Sequence, residues 1–203
     1  MSKKPLIVFE GIEGSGKSHH INVLANYLIK ENKEFIQIRE PGGSKNSEKI
    51  RKLILDNKST FNKYTDLLLY LSARSENIDI IKENYGKKII LIDRFVDSTL
   101  AYQHYGMGVN IKFIKNINNF LLKGINIDFT FLNLVTPKNM KKRLLKRKKL
   151  NRYDQFSVNF YKKVQDGFIK ILKKNPKKYM RINSNLNIDD NQNIILNKFK
   201  GLI

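Results

Sequence analysis

The sequence contains no cysteine and no tryptophan, and only 4 of its 203 residues are proline. Without cysteine there is no disulfide framework and no thiolate-bound metal, so stability has to come from an apolar core. Apolar residues make up 41% of the chain, which is enough for such a core. No apolar run approaches the roughly 20 residues of a membrane-spanning helix, and MSKKPLIVFE is not a signal peptide. We therefore expect a cytoplasmic protein with one domain, residues 1–203, and no membrane partner.

Acidic residues are scarce as well, since 18 Asp and Glu face 39 Lys and Arg, giving a formal net charge of +21. Such a charge is typical of proteins that bind nucleic acids, anionic membranes or nucleotides. It also follows from a compositional bias, because lysine, asparagine and isoleucine are all abundant. The chain has 31 lysines but only 8 arginines. Because only arginine offers a planar fork for phosphate, the arginines are the better candidates for a phosphate site.

The segment FEGIEGSGKS, residues 9–18, matches the phosphate-binding pattern G-x-x-x-x-G-K-[ST]. In that pattern the glycines turn backbone N–H groups toward a polyphosphate, the lysine reaches the β- and γ-phosphates, and the serine hydroxyl binds Mg²⁺. A short apolar strand precedes the loop and a helix is predicted over 21–30. A glycine turn with an incidental lysine is the alternative. The predicted ATP-binding residues of this loop are Gly11, Ile12, Glu13, Gly14, Ser15, Gly16, Lys17 and Ser18.

Strand and helix patterns alternate along the whole chain, which is typical of a parallel sheet covered by helices on both faces. The fold class expected is therefore α/β, a P-loop NTPase-type three-layer α/β/α structure with a central, mostly parallel five-stranded sheet and a mobile lid. Ligands of such sheets bind at the carboxyl ends of the strands. Segments 11–18, 39–43 and 93–94 follow predicted strands, so we expect them to converge on one cleft. The predicted strands cover 6–9, 35–39, 88–92, 128–135 and 179–183.

A second candidate site lies in ILIDRF, residues 90–95. Asp93 could hold magnesium through water, and Arg94 could clamp a phosphate. A surface ion pair is the alternative. The sequence has no guanine-reading NKxD motif and no second carboxylate directly after Asp93, which weakens the GTPase and water-activating ATPase interpretations. A second phosphate-bearing substrate fits better.

Two further patterns carry possible functional side chains. Tyr70 and Arg74 lie four residues apart on a helix predicted over 66–81 and share a face, where they could stack on and hydrogen-bond to a base. A tyrosine at the edge of the core with a solvent-facing arginine is the alternative. A helix is predicted from Pro137 through LLKRKK, and the segment LLKRKKLNRYDQF, residues 144–156, concentrates cations in this helix end and the following loop. It is either a lid that closes over a triphosphate or a solvated basic face.

Together these segments resemble the bacterial thymidylate kinases, a family of P-loop nucleoside monophosphate kinases, and the resemblance runs along nearly the whole chain. The segments that carry it are FEGIEGSGKS, REPGG at 39–43, LLLYLSAR at 67–74, DRF at 93–95, STLAYQ at 98–103 and NRYDQF at 151–156. The resemblance implies transfer of the γ-phosphoryl group of ATP to dTMP with Mg²⁺, in a homodimer that binds no nucleic acid. It also implies an acceptor-binding region at about 39–105 and a lid at about 143–156.

The resemblance further implies roles for individual residues. The catalytic residues would be Lys17, Arg94 and the lid arginine Arg152. The metal would lie at Ser18 and Asp93, and the adenine side would be formed by Arg143 and Arg147. Tyr102 would crowd the ribose 2′ position and favour deoxyribose. The dTMP-binding residues would be Glu13, Arg39, Tyr70, Arg74, Arg94, Ser98, Thr99, Tyr102 and Gln103.

Three features depart from the family pattern. Tyr70 replaces the usual phenylalanine, so its hydroxyl needs a partner or water. Asn151 stands where aspartate is frequent, a change that could loosen lid closure. His19 and His20 follow the loop where small residues are common. Two rival functions stay open, another P-loop kinase acting on a different monophosphate or a deoxynucleoside, and a basic nucleic-acid-binding ATPase.

Overall fold

The computed structural model of the chain describes residues 4–203, and its centre is a five-stranded sheet in the order β2-β3-β1-β4-β5. Every neighbouring pair of strands is parallel, so the predicted α/β architecture is confirmed. In the central register Val8 lies opposite Ile92 on one side and Thr130 on the other. The strands are β1 (Leu6–Glu10), β2 (Phe35–Arg39), β3 (Ile89–Asp93), β4 (Phe129–Leu134) and β5 (Tyr179–Asn183).

Helices follow every strand. They are α1 (Lys17–Lys30), α2 (Lys45–Leu55), α3 (Lys63–Asn84), α4 (Val96–Thr99), α5 (Ile111–Leu121), α6 (Pro137–Leu144), α7 (Val158–Lys174) and α8 (Ile188–Lys200). A π-helix (Leu100–Gly106) continues α4, and 3₁₀ turns occupy Tyr153–Gln155 and Pro176–Lys178. Helix α3 begins before the predicted residue 66 because the Asn62 side chain caps the N–H groups of Tyr64 and Thr65. No helix in the described part of the chain has the length and apolar content to cross a membrane.

The end of α6 differs from the prediction, which carried this helix through LLKRKK to residue 149. The helix ends at Leu144, and a turn and bends follow. Beyond Leu144 the segment offers almost no apolar side chain to the core, since the side chain of Leu145 is 76% exposed. Like charges three and four residues apart also disfavour the helix there. The basic segment is therefore a loop attached to a short helix.

The core lies on both faces of the sheet because alternate side chains of each strand point in opposite directions. On one face Ile7 and Phe9 pack with Leu24 of α1 and Phe199 of α8. On the other face Leu6 and Val8 join the cluster that includes Ile78 and Ile81 of α3. These strands read as continuous apolar runs, as expected for a sheet buried on both sides.

The strand order places the loop that follows β1 at the centre of the carboxyl edge of the sheet. Strand β1 lies between β3 and β4, whose own carboxyl ends open onto the same edge. Sheets of this type bind ligands at this edge, where the connections diverge to opposite faces. The segments after β1, β2 and β3 therefore meet at one cleft, as predicted.

Candidate active site

A cavity of about 540 Å³ lies at the carboxyl edge of the sheet. Its walls come from the glycine-rich loop, the turn after β2, helix α3, the end of β3, the π-helix and the predicted lid. Gly11 and Ile12, at the base of the loop, and Arg152 do not line it. The other predicted site residues do: Glu13, Gly14, Ser15, Gly16, Lys17, Ser18, Arg39, Tyr70, Arg74, Asp93, Arg94, Ser98, Thr99, Tyr102, Gln103, Arg143 and Arg147.

The glycine-rich loop depends on backbone conformations that side chains rarely adopt. Gly11, Gly14 and Gly16 have φ values of 139°, 67° and 88°. At Gly11 there is also no room, because a Cβ atom would lie 2.3 Å from the carbonyl oxygen of Asn133 at the end of β4. The first glycine therefore lets the loop pass close to the neighbouring strand before it turns toward α1.

Lys17 is held inside the loop. Its ammonium group donates to the carbonyl oxygens of Gly11 and Ile12, at 2.9 and 3.0 Å, and lies 3.4 Å from the Ser15 hydroxyl. Burial and the nearby Arg94 guanidinium lower its pKa from 10.5 to about 8, although the carboxylates of Asp93, Glu13 and Glu10 oppose the change. The ammonium group of Lys17 is thus held at the point where the loop would receive a phosphate.

The residues predicted to hold a metal contact each other directly. The Ser18 hydroxyl donates to Oδ2 of Asp93 at 2.8 Å. Within residues 4–203 no group of three or more His, Cys, Asp and Glu side chains could hold a metal. Two oxygen ligands nevertheless suit Mg²⁺, which keeps several waters and completes its shell with substrate phosphates. The donor set therefore fits a nucleotide-bound magnesium ion better than a permanently bound metal.

Arg94 is the most constrained cation of the cleft. Its backbone is left-handed, with φ 66°, an unusual conformation for a residue with a side chain. The guanidinium donates to the Gly11 carbonyl oxygen at 2.7 Å and to Glu13 at 2.8 Å. Burial acts to lower the Arg94 pKa, but Glu13 and the neighbouring carboxylates raise it well above its usual value. Arg94 is therefore a permanent, oriented positive charge.

Glu13 connects the loop to the acceptor side of the cleft. It accepts hydrogen bonds from Arg94 and from the hydroxyl group of Tyr102. Although burial acts to raise the pKa of Glu13, Arg94 and Lys17 lower it below the usual value, so the side chain is a carboxylate. Its charge faces the cations and the Tyr102 hydroxyl.

Three arginines, Arg39, Arg51 and Arg94, lie where the acceptor phosphate is expected. Arg39 pairs with Glu48 at 3.0 Å and is 57% exposed at the rim. Arg51, on α2, donates to the Pro41 carbonyl oxygen and lines the cavity. Burial, and then the positive charge of Arg39, lower the Arg51 pKa, although Glu48 opposes the change. The sequence analysis did not assign Arg51 to the site. The indication in the sequence was that Arg51 is one of only eight arginines.

Tyr70 and Arg74 both line the cavity from α3, as their spacing predicted. The Arg74 guanidinium is buried and contacts Glu40 at 2.7 Å and Asn118 at 2.7 Å. These contacts fix its plane and leave further N–H groups for a ligand, since a guanidinium has five. The ring of Tyr70 meets the ring of Tyr153 edge to face at 5.8 Å. Tyr70 thus has an aromatic partner in the lid.

The π-helix and the turn of α4 before it place the remaining acceptor-side residues. Ser98 is fixed by Glu10, which accepts from its backbone N–H at 3.1 Å and from its hydroxyl at 2.5 Å. Thr99 is buried and its hydroxyl has no hydrogen-bond partner. Gln103 is also buried and donates to Asp66 at 3.1 Å. Such irregular helical turns are frequent at functional sites.

The two arginines expected on the adenine side occupy different surroundings. Arg143 donates to the carbonyl oxygens of Gly14 at 2.8 Å and Ser184 at 2.5 Å, so it bridges the loop and the end of β5. Arg147 pairs with Asp154 at 2.5 Å, is 40% exposed and lines the cavity. Arg147 is therefore the arginine that the loop after α6 presents to the cleft.

Arg152, which the resemblance implies to be the catalytic arginine of the lid, does not line the cavity in this structure, and its catalytic role stays a prediction. Its guanidinium contacts the buried carboxylate of Asp66 and donates to the Ile54 carbonyl oxygen at 2.9 Å. Sequence spacing could not indicate this direction, because the partners lie 86 and 98 residues away. Asn151, also in the lid, donates to Asp154 at 2.7 Å and accepts from the Tyr153 N–H.

His20 is a cleft residue to which the sequence analysis assigned no role. It is buried, and its Nδ1 atom has no hydrogen-bond partner. Burial, then His19 and Arg143, lower its pKa to about 4, so the ring is neutral near pH 7. It lines the cavity beside the glycine-rich loop, with Ser184 and Asn191 on the same side.

Known proteins resemble this chain in sequence along most of its length. A family model described as "Thymidylate kinase" matches residues 9–195. The thymidylate kinase of Thermoanaerobacter sp. (strain X514) is 39% identical over 182 residues, 89% of each chain. That of Clostridium novyi (strain NT) is 38% identical and covers 93% of this chain and 95% of its own length.

A solved structure has a similar fold along nearly the whole chain. The crystal structure of thymidylate kinase from Ehrlichia chaffeensis superposes with a TM-score of 0.79 at 31% identity. It covers 97% of this chain and 98% of its own. Sequence and fold thus agree from the glycine-rich loop to the last helix, and the chain belongs to the thymidylate kinase family.

Proposed function

We propose that this protein transfers the γ-phosphoryl group of ATP to dTMP, giving ADP and dTDP. One observation carries the proposal: two separate cationic groups face one cleft. Lys17 lies in the glycine-rich loop, while Arg94 and Arg51 lie on the acceptor side. A hydrolase would need only the first group. A kinase with a phosphorylated acceptor needs both, because two anions must be held together against their repulsion.

The protein's part in this reaction is alignment and charge neutralisation, since phosphoryl transfer needs no protein nucleophile. Lys17 would hold the donor phosphates, and Arg94 would orient the acceptor phosphate. Arg147, which lines the cavity from the loop after α6, would neutralise charge on the transferred group. Arg152, proposed for that role from the resemblance, would first have to leave Asp66. A closed lid would also exclude water and so suppress hydrolysis of ATP.

Mg²⁺ and the homodimer are the remaining parts of the proposal. Ser18 and Asp93 would hold the metal at the end of the glycine-rich loop, with Asp93 acting through water. The ion would neutralise negative charge on the phosphates. The homodimer and the cytoplasmic location stay predictions.

The acceptor side supports a deoxynucleoside monophosphate. Tyr70 offers a ring and Arg74 offers N–H groups on the same wall, an arrangement suited to a base with a carbonyl group. Tyr102 donates to Glu13 and fills the space beside Arg94, whose guanidinium lies 5.1 Å from its ring centroid. A ribose 2′-hydroxyl would have to compete with this pair.

A substrate panel tests the function. We expect ADP release from Mg-ATP to be fastest with dTMP and to fall by at least about 100-fold with two analogues. The ribose analogue of dTMP adds a 2′-hydroxyl that competes with the Tyr102–Glu13 pair, and thymidine lacks the phosphate that Arg94 would orient. The measurement is a coupled ADP-release assay with each nucleoside monophosphate and deoxynucleoside in turn. Preference for thymidine over dTMP would contradict the role of Arg94 and indicate a nucleoside kinase. Activity stimulated only by DNA or RNA would favour the ATPase alternative.

The pKa of Lys17 predicts a pH dependence. Only the protonated side chain attracts phosphate, and the pKa in the free protein is lowered to about 8. We expect kcat/KM for ATP to be constant below this value and to fall about tenfold per pH unit above it. The check is a profile from pH 6.5 to 10 at constant ionic strength. The residual activity of Lys17→Arg should lack this limb because arginine stays protonated. A limb that begins only near pH 10 would contradict the prediction.

A further inference from the structure

A buried aspartate outside the cleft joins three elements of the site. Asp66, in the first turn of α3, is 1% exposed. Its Oδ2 atom accepts from the Tyr153 hydroxyl at 2.5 Å and from Gln103 at 3.1 Å, and its Oδ1 atom contacts Arg152. Gln103 also donates to the Tyr153 hydroxyl at 3.2 Å. One carboxylate therefore binds two consecutive lid residues and one residue of the π-helix.

The lid is attached at this point by more than the carboxylate. The backbone N–H of Arg152 donates to the carbonyl oxygen of Leu55 at 3.2 Å. The side chain of Arg152 donates to the carbonyl oxygen of Ile54. The Arg152 guanidinium also lies over the rings of Phe61 and Tyr153, 5.5 and 5.1 Å from their centroids. The segment around Arg152 is thus held against the acceptor half of the molecule, through α2 and α3.

The partners of Asp66 differ in their access to the cleft. Tyr153 and Gln103 line the cavity, whereas Asp66 and Arg152 do not. Tyr153 also meets Tyr70 edge to face and lies 5.8 Å from the ring of Tyr102. A base held by Tyr70 and Gln103 would therefore touch a lid side chain directly.

We propose that Asp66 is a positioning residue that couples the acceptor site to the lid. It fixes Gln103 on the acceptor side and Tyr153 and Arg152 on the lid side through one carboxylate. A ligand that packs against Gln103 and Tyr153 stabilises the docked lid, and the docked lid presents Arg147 to the donor nucleotide. Binding of the acceptor nucleotide and binding of the donor nucleotide are linked in this way, so each ligand raises the affinity for the other by the same factor. The inference rests on the proposed function for the identity of the two ligands.

The test compares the affinity for the ATP analogue AMP-PNP with and without saturating dTMP, by calorimetry. In the wild-type protein we expect dTMP to tighten AMP-PNP binding about tenfold, within the usual range of coupling between sites. In Tyr153→Phe and Asp66→Asn this factor should fall below about threefold. Asparagine cannot replace the carboxylate, because its NH₂ group would face another donor. Tyr27→Phe, on the α1 surface that packs against Phe199, is the matched control.

A second measurement separates this inference from the proposed function. Amide hydrogen exchange over residues 145–156, without ligands, should be faster by at least about tenfold in Asp66→Asn, because the lid loses its attachment. This result does not depend on which nucleotides bind. Wild-type affinities that show no coupling, or variants that keep both the coupling factor and the slow exchange, would overturn the proposal. Absence of dTMP turnover in the wild-type protein would instead count against the proposed function.

Discussion

Replacing Arg94 with glutamine should lower kcat/KM for dTMP by about 10³-fold, or about 4 kcal/mol of transition-state stabilisation. The guanidinium is fixed by Gly11 and Glu13 in a left-handed backbone conformation, so its position is set before any substrate binds. A preorganised charge of this kind acts on the transition state without reorganisation. We expect a lower kcat and a higher KM for dTMP, with the KM for ATP changed less than about threefold.

The control for this variant is Arg181→Gln, which removes the same charge from an exposed position on β5. It should have wild-type kinetics and wild-type thermal stability. If Arg94→Gln keeps kcat/KM for dTMP within about threefold of the wild type, Arg94 does not hold the acceptor phosphate and the assignment of the acceptor side fails. A rise in the KM for ATP alone would move Arg94 to the donor side.

Replacing Lys17 with methionine should lower kcat by about 10³-fold while leaving the fold at least as stable. Lys17 is 6% exposed, and burial lowers its pKa to about 8, so the folded protein carries the cost of a buried charge. Methionine has a similar volume and removes that cost. Loss of activity together with an unchanged or higher melting temperature would therefore separate a functional lysine from a structural one.

Lys30→Met provides the matched control, because Lys30 is the exposed last residue of the same helix. Steady-state kinetics with ATP and dTMP and a thermal melt of both variants complete the measurement. A strongly destabilised Lys17→Met protein would contradict the prediction, since Lys17 would then hold the loop together through Gly11 and Ile12. Unchanged kcat would exclude Lys17 from phosphoryl transfer.

The sequence predicted the strands well because a sheet buried on both faces leaves a simple pattern. Continuous apolar runs such as IILI and LIVF, with glycines and charged residues around them, fit few structures other than a buried strand. The end of α6 was harder to predict. Local propensity favours helix through the lysine-rich segment, but Leu145 finds no core to pack against, and tertiary packing decides where a helix ends.

Within the site, motifs predicted what surrounds the phosphates but not where each arginine points. The turns of the glycine-rich loop are local, and so is the position of Arg94 directly after β3. The side chains of Arg94, Arg152 and Arg51 instead take their partners from other segments, Glu13, Asp66 and Pro41 respectively. Asp66 itself looks like an ordinary acidic residue in the first turn of a helix. Its connection to the lid depends on contacts across 86 residues, which no local pattern encodes.

The position of β1 in the sheet also determines when the site can form during synthesis. This strand carries the glycine-rich loop, yet its two neighbours, β3 and β4, end at residues 93 and 134. At about 5–20 residues per second, the ribosome needs on the order of ten seconds to make β3 after β1. During that time LIVFE is an apolar strand without its partners. The phosphate cradle is thus among the first parts of the protein to be made and can be completed only after two-thirds of the chain exists.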